Sequence, residues 1–202
     1  MKKPNNYDET PVQGEFTPVE LGGHKIIIKQ VSETKSKNGK YMIVVLFDFA
    51  PDDAQPGYFT EQFKNDIRPD KKWPNQATQY ILTEDNEGNT NRSFKTFCTC
   101  VEHSNAEFTT QWGDNWGAQF KNKKIGGVFG EQMDYYNGEE KKKRVLRWFT
   151  SLDKVADAPI PEITETQAYK NHRKSGYPAA VTSAGDGFMN IPEEMDDELP
   201  FN

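Results

Sequence analysis

Four stretches of this 202-residue chain set cations beside aromatic rings. One holds Lys35, Lys37, Lys40 and Tyr41. A second holds Tyr58, Phe59, Phe63, Lys64, Arg68, Lys71, Lys72 and Trp73. A third holds Trp112 and Trp116, followed by Lys121, Lys123 and Lys124. The fourth holds Tyr135, Tyr136, Lys141, Lys142, Lys143, Arg144, Arg147 and Trp148. That pairing suits a polymer with charged phosphates and exposed flat bases, and each stacked base is worth about 1–3 kcal/mol. The residues expected to touch such a strand are Lys37, Lys40, Tyr58, Phe63, Lys64, Arg68, Lys71, Lys72, Trp73, Trp112, Tyr136, Lys142, Arg144, Arg147 and Trp148. Trp73 leads them, because a polar, lysine-rich loop makes core burial hard to arrange. Phe47, Phe49, Phe97, Phe129 and Phe149 are assigned to the core instead. Of Trp112 and Trp116, one is expected to cap the fold.

No catalytic set accompanies these residues. The chain has no phosphate-binding GxxxxGK[ST], no GxSxG and no HExxH. Asp48, Asp66 and Asp70 are the nearest approach to a magnesium set, and their spacing fits no such pattern. Cys98-x-Cys100-x-x-His103 has the wrong spacing for zinc, because on a helix the two cysteines point about 200° apart. The chain is therefore read as a non-enzyme without metal or cofactor. Two close cysteines and no others suit a reducing, cytoplasmic setting. No apolar run approaches a membrane span, and Met1-Lys2-Lys3 leads into no hydrophobic signal segment.

The charge is unevenly placed. Residues 1–152 carry 21 Lys and Arg against 21 Asp and Glu, whereas residues 153–202 carry 4 against 10. The formal net charge of −6 thus sits in the tail and leaves room for a basic face elsewhere. In residues 193–202, five carboxylates and no base surround Leu199-Pro200-Phe201. Such a segment has too little apolar surface to offset its ordering entropy. It suits docking on another protein. Phe201 would fill a pocket, Pro200 would narrow the unbound ensemble, and Asp196, Asp197 and Glu198 would meet a basic rim. A purely solubilising tail has no use for Leu199 and Phe201.

This tip resembles the C-terminal tail of bacterial single-stranded DNA-binding proteins, an acidic run followed by Leu/Ile-Pro-Phe. The resemblance implies recruitment of replication, recombination and repair enzymes. Here Asn202 follows the Phe that usually carries the terminal carboxylate.

The elements that must position these residues read as follows. Residues 1–18, with Pro4, Pro11 and Pro18, are a loose arm. Residues 24–31 and 41–49 are strands of one long hairpin, turning at Asn38-Gly39. Residues 58–63 read as a third strand, 66–76 as a polar loop and 79–83 as a short strand. Phe94, Phe97, Cys98 and Val101 fall at i, i+3, i+4 and i+7, which predicts a helix over 91–103. Residues 125–136 and 141–152 form a second hairpin around Asn137-Gly138, with a bulge or bend at Gly126-Gly127. Val145, Arg147 and Phe149 should share one face of its last strand, and Leu146 and Trp148 the other. Residues 156–192 read as a disordered linker with an r.m.s. span of roughly 35 Å.

The predicted fold is mainly β: an OB-fold, a five-stranded, partly open barrel with one helix, over residues 19–155. A weaker resemblance supports it. Residues 19–25 (VELGGHK), 33–40 (ETKSKNGK), 68–73 (RPDKKW) and 126–130 (GGVFG) are similar to a group of phage-encoded proteins found beside recombination genes. It spans roughly residues 19–152 and implies single-stranded DNA binding in a phage or mobile-element cassette. The expected partners are single-stranded DNA and, through the tail, replication or recombination proteins. Homo-oligomerisation stays open. The alternative reading is an adaptor that binds proteins at both barrel and tail.

Overall fold

Burial alternates along the first apolar run because one face meets the core, whereas the second is buried on both faces at its ends. In the computed structural model, which describes residues 1–5, 7 and 17–176, these runs are β1 (Gly22–Lys35) and β2 (Tyr41–Phe49). They pair antiparallel out to Lys35 opposite Tyr41. The Ser36 hydroxyl closes the turn by accepting from Lys40 N. An irregularity between Ile28 and Gln30 bends β1.

The chain continues through β3 (Thr78–Leu82), helix α2 (Arg92–Ser104), β4 (Lys124–Tyr136) and β5 (Glu139–Thr150). Asn91 caps α2 by accepting from Ser93 N, and Phe94, Phe97, Cys98 and Val101 turn inward as their spacing predicts. Asn137 and Gly138 both take positive φ, 54° and 82°, in the two-residue turn that joins β4 to β5. The sheet is open and runs β3-β2-β1-β4-β5. With β6 (Thr164–Glu165) lying parallel to β4, the described residues are mainly β, with six strands and three α-helices rather than five and one.

Four local expectations are corrected. Residues 58–63 open a helix, α1 (Tyr58–Asn65), not a strand. Gly57 turns the chain with φ 68°, and the buried Asp48 carboxylate, projecting from β2, meets the new N-terminus. It accepts from Phe59 N at 2.9 Å, Thr60 N at 3.2 Å and the Thr60 hydroxyl. A carboxylate there satisfies orphan N–H groups and opposes the helix dipole. In β5 the ladder slips between Val128 and Phe129, so that Val128 faces Trp148 while Phe129 faces Leu146. Arg147 is the extra residue. Leu146 and Phe149 are therefore both buried, and the simple alternation of faces fails.

Gly126 and Gly127 lie just before this bulge rather than in it, and they serve close packing. A Cβ on Gly126 would sit 2.6 Å from Val155 Cγ2, and one on Gly127 would sit 2.7 Å from Leu146 Cδ1. Finally, residues 156–176 are no plain linker. After the 3₁₀ turn Leu152–Lys154, a strap runs across the outer face of β1 and β4. Val155 and Ala158 pack on Gly23, Ile160 on Gly22 and Pro161 on Gly130. The strap ends in β6 and α3 (Gln167–Gly176). His172 of α3 stacks on Tyr135 at 3.7 Å, and the Thr166 hydroxyl donates to Asp134 at 2.9 Å.

The core is rich in phenylalanine, and all five residues assigned to it are buried. Ring contacts run from Trp116 to Phe120 (4.5 Å), Phe97 (5.3 Å) and Phe149 (5.3 Å). They continue through Phe47 (6.3 Å) and Phe129 (6.2 Å) to Phe49 (5.4 Å) and His24 (4.2 Å). The buried His24 bridges Asp53 Oδ1 at 2.9 Å and the Glu20 carbonyl at 3.0 Å.

Candidate nucleic-acid interface

The register divides the side chains of β1, β2 and β3. Val31, Ile43, Val45, Phe47 and Ile81 belong to the core. Their neighbours therefore point outward. Across the three strands they form the rows Gln30–Leu46–Thr78, Ser32–Val44–Tyr80 and Thr34–Met42–Leu82, of which Met42 is buried. This outer face carries no charged group at these positions. Tyr80, Val44 and Leu46 on it are only partly buried. Tyr80 was missed by sequence reasoning. Its strand is five residues long and lies at the end of the strand path, and only the register reveals that it faces away from the core.

Beside the start of β3, α1 and the loop 66–76 add aromatic and basic groups, with Tyr58 and Trp73 packed against the core cluster. Trp73 packs against Phe63, ring centroids 5.6 Å apart, and Lys71 Nζ lies 4.8 Å from the Phe63 ring centre. Trp73 is not the loosely exposed residue that its loop suggests. It is half-buried, and its indole N–H donates to the Phe47 carbonyl at 3.2 Å, just past the last β2–β3 pair. The bond fixes the ring's orientation. Lys64, Arg68, Lys71 and Lys72 are exposed around it. Arg68 is clasped by Asp66, with Nε 3.0 Å from each oxygen and Nη2 2.6 Å from Oδ2. That clasp holds the Asp66 carboxyl down to about 2 and offsets much of the Arg68 charge.

The open seam of the sheet lies beside this cluster. β3 and β5 end the strand path, and they are bridged by Gln76 Nε2, which donates to the Arg144 carbonyl at 2.7 Å. Tyr58 is half-buried here, and burial pushes its hydroxyl up while the Arg144 charge pulls the other way. Arg144 also donates to the Val19 carbonyl. The structure thus brings Tyr58, Phe63, Lys64, Arg68, Lys71, Lys72, Trp73 and the Arg144 backbone to one side of the seam. Lys37 and Lys40 sit at the β1–β2 turn, where Lys35 covers the ring of Tyr41 at 4.4 Å.

The remaining candidates lie apart. On the β4–β5 hairpin the lysines are ion-paired, Lys141 with Glu139, Lys142 with Glu131 and Lys143 with Asp134. Its basic run therefore carries little net field. Arg147 is half-buried and donates to the Thr164 hydroxyl, so it anchors the strap. Tyr136 and Trp148 remain exposed on this hairpin. Trp116 is the tryptophan that caps the core, and Trp112 stacks outside it. Asp196, Asp197, Glu198, Leu199, Pro200 and Phe201 lie outside the described residues.

Of the carboxylates weighed for magnesium, Asp48 is engaged with α1 and Asp66 with Arg68. Burial pushes the Cys98 thiol up to about 11 and raises Cys100 as well, against the thiolate that zinc needs. Among the described residues no three His, Cys, Asp or Glu side chains converge on a common point, and no helix is long and apolar enough to cross a membrane. No protein-family model matches the chain, and no curated protein matches it.

Proposed function

We propose that the protein binds single-stranded DNA with little sequence preference, during phage or mobile-element replication and recombination. The observation that carries this reading is the outer face of β1–β2–β3 with the aromatic and basic cluster beside it. Tyr80 stands on the β3 edge of a face uncharged at its paired positions, and the oriented Trp73–Phe63 pair with Lys71 stands beside the start of the same strand. Flat rings without a hydrogen-bond code accept any base, and the surrounding lysines meet phosphates.

An OB-type barrel is the architecture proposed for this. The strand path, the helix α2 between β3 and β4, and the Gln76 bridge across the β3–β5 seam are what a five-stranded barrel would leave with its last seam unpaired. In that fold the face of strands 2 and 3 and the loops 1–2 and 4–5 bind oligonucleotides. The acidic tip, with its Leu-Pro-Phe hook, is proposed to recruit replication or recombination proteins. The mechanism is coating and delivery, not turnover.

Titrating the protein with oligo-dT should quench its tryptophan fluorescence. Gel shifts should rank single-stranded DNA well above duplex. Affinity should fall with salt by about 0.7 in log K per phosphate contact for each decade of salt. Equal affinity for duplex and single strand would overturn the reading. No binding to either would leave the adaptor alternative, in which the exposed Trp148 and Ile160 would serve a protein partner.

A further inference from the structure

Trp112 lies away from the interface above. It is 72% exposed, yet its ring is held 5.8 Å from that of Trp116 and 17° from parallel, and Trp116 is only 6% exposed. Phe94 of α2 touches both rings, at 6.3 and 5.4 Å. Support on one side with high exposure leaves Trp112 one open face, already fixed in orientation. An aromatic platform fixed in this way loses little entropy when a flat group stacks on it.

The next feature is the outer surface of α2. Arg92, Lys95, Thr96 and Thr99 surround a concavity of about 790 Å³ whose lining contains no carboxylate. Among the described residues neither Arg92 nor Lys95 has an ion-pair partner. This surface follows directly from the end of β3, because the Thr83 carbonyl accepts from Asn91 N at 2.9 Å and Arg92 opens the helix. The concavity that Trp112 itself lines, by contrast, contains Glu107 and Asp114. Their charge repels a phosphate backbone, so the carboxylate-free surface of α2 is the favoured place for the phosphates.

We propose that Trp112 is a second stacking station for a single strand, with Arg92 and Lys95 holding the phosphates. The bound strand would leave the β1–β2–β3 face at the end of β3 and cross the N-terminal half of α2. This inference rests on the single-stranded DNA reading and extends it, since it makes the site bipartite and longer than the sheet alone.

The test uses the full chain and fluorescently labelled oligo-dT of about 6 and about 16 nucleotides, within the range one such fold covers. Trp112→Ala should weaken the longer oligonucleotide about tenfold and leave the shorter one within about twofold. Arg92→Glu with Lys95→Glu should give the same length-selective loss and reduce the salt slope by about 1.4. Thermal melts should be unchanged for the α2 double variant, whose side chains are outside the core, and lowered only slightly for Trp112→Ala, whose ring rests on Trp116 and Phe94. Wild-type affinity of Trp112→Ala for the longer strand would overturn the inference. Equal losses at both lengths would overturn it too, by placing Trp112 inside a single compact site. If the unaltered protein binds neither length, the proposed function and this extension fall together.

Discussion

Tyr80 and Trp73 probe the proposed interface in different ways. Tyr80→Ala removes a ring from the outer face without touching the core cluster. It should weaken single-stranded DNA binding by about 1–3 kcal/mol with little change in Tm, measured by anisotropy and a thermal melt. Trp73→Ala should lower both affinity and stability, because the ring also supports Phe63 and bonds the Phe47 carbonyl. Trp73→Phe keeps a ring and loses that bond, about 1 kcal/mol of stability. A Tyr80→Ala protein that binds normally would remove the sheet face from the interface.

Asp53 gives a second residue-scale prediction, in pH. Burial alone would raise its carboxyl. Hydrogen bonds from His24, Gln55 N and Lys25 N outweigh burial and hold it below the usual carboxylate range. The folded state therefore favours the ionised form. Its stabilisation is fully present above the unfolded value of about 3.9 and is lost as pH falls through the lower folded value. Urea midpoints should drop steeply below about pH 4 in the unaltered protein. Asp53→Asn should be less stable at neutral pH and show a flatter acid limb. Identical acid limbs would remove Asp53 from the account.

At the scale of elements, the contrast between α2 and α1 explains what a sequence can reveal. The helix α2 was legible because its own residues carry the signal, four apolar side chains at helical spacing behind an Asn cap. The helix α1 was not, because its cap is Asp48, which lies in a strand ten residues upstream of Tyr58. Asp48→Ala would strand the Phe59 and Thr60 donors, at a cost of about 2–4 kcal/mol. Hydrogen exchange should then rise over residues 58–65 before it rises in β1 or β2. Uniform acceleration across the sheet would contradict this role.

The ion pairs of the β4–β5 hairpin were hidden for a related reason. Lys142 and Lys143 look like free cations until the register sets them beside Glu131 and Asp134. The strap was hidden by composition. Pro and Ala near residue 160 look like a linker, and only the glycines opposite them show that the chain packs there. A chain ending at residue 155 should therefore melt about 5–10 °C below one ending at 176. Equal melting would make the strap an ornament.

At the scale of the whole molecule, charge is divided between a balanced domain and an acidic end. Deleting residues 193–202 should leave the domain folded and should abolish recruitment of a partner with a basic-rimmed apolar pocket. It should also tighten DNA binding modestly at low salt, because a tethered polyanion competes for the basic surface. That competition should fade as screening shortens to about 8 Å at physiological salt. Phe201→Ala should break recruitment alone and leave the competition, since no charge changes. Pull-downs and salt-dependent anisotropy separate the two effects. Recruitment that survives Phe201→Ala would reduce the tip to its charge.

The position of β6 has a consequence for how copies of the protein behave in a crowded solution. β4 spends Lys124 to Phe129 against β1, then offers the same edge to Thr164 and Glu165. Those two residues are a stopper. With the stopper out, the second half of β4 becomes an open template beside a run of strand-forming side chains, and the nearest matching stopper belongs to a neighbouring molecule. Reciprocal exchange of the arm 156–176 would then join two chains by contacts each already makes with itself. Resistance to such exchange would then rest on how firmly Arg147 and Asp134 keep this two-residue strand seated.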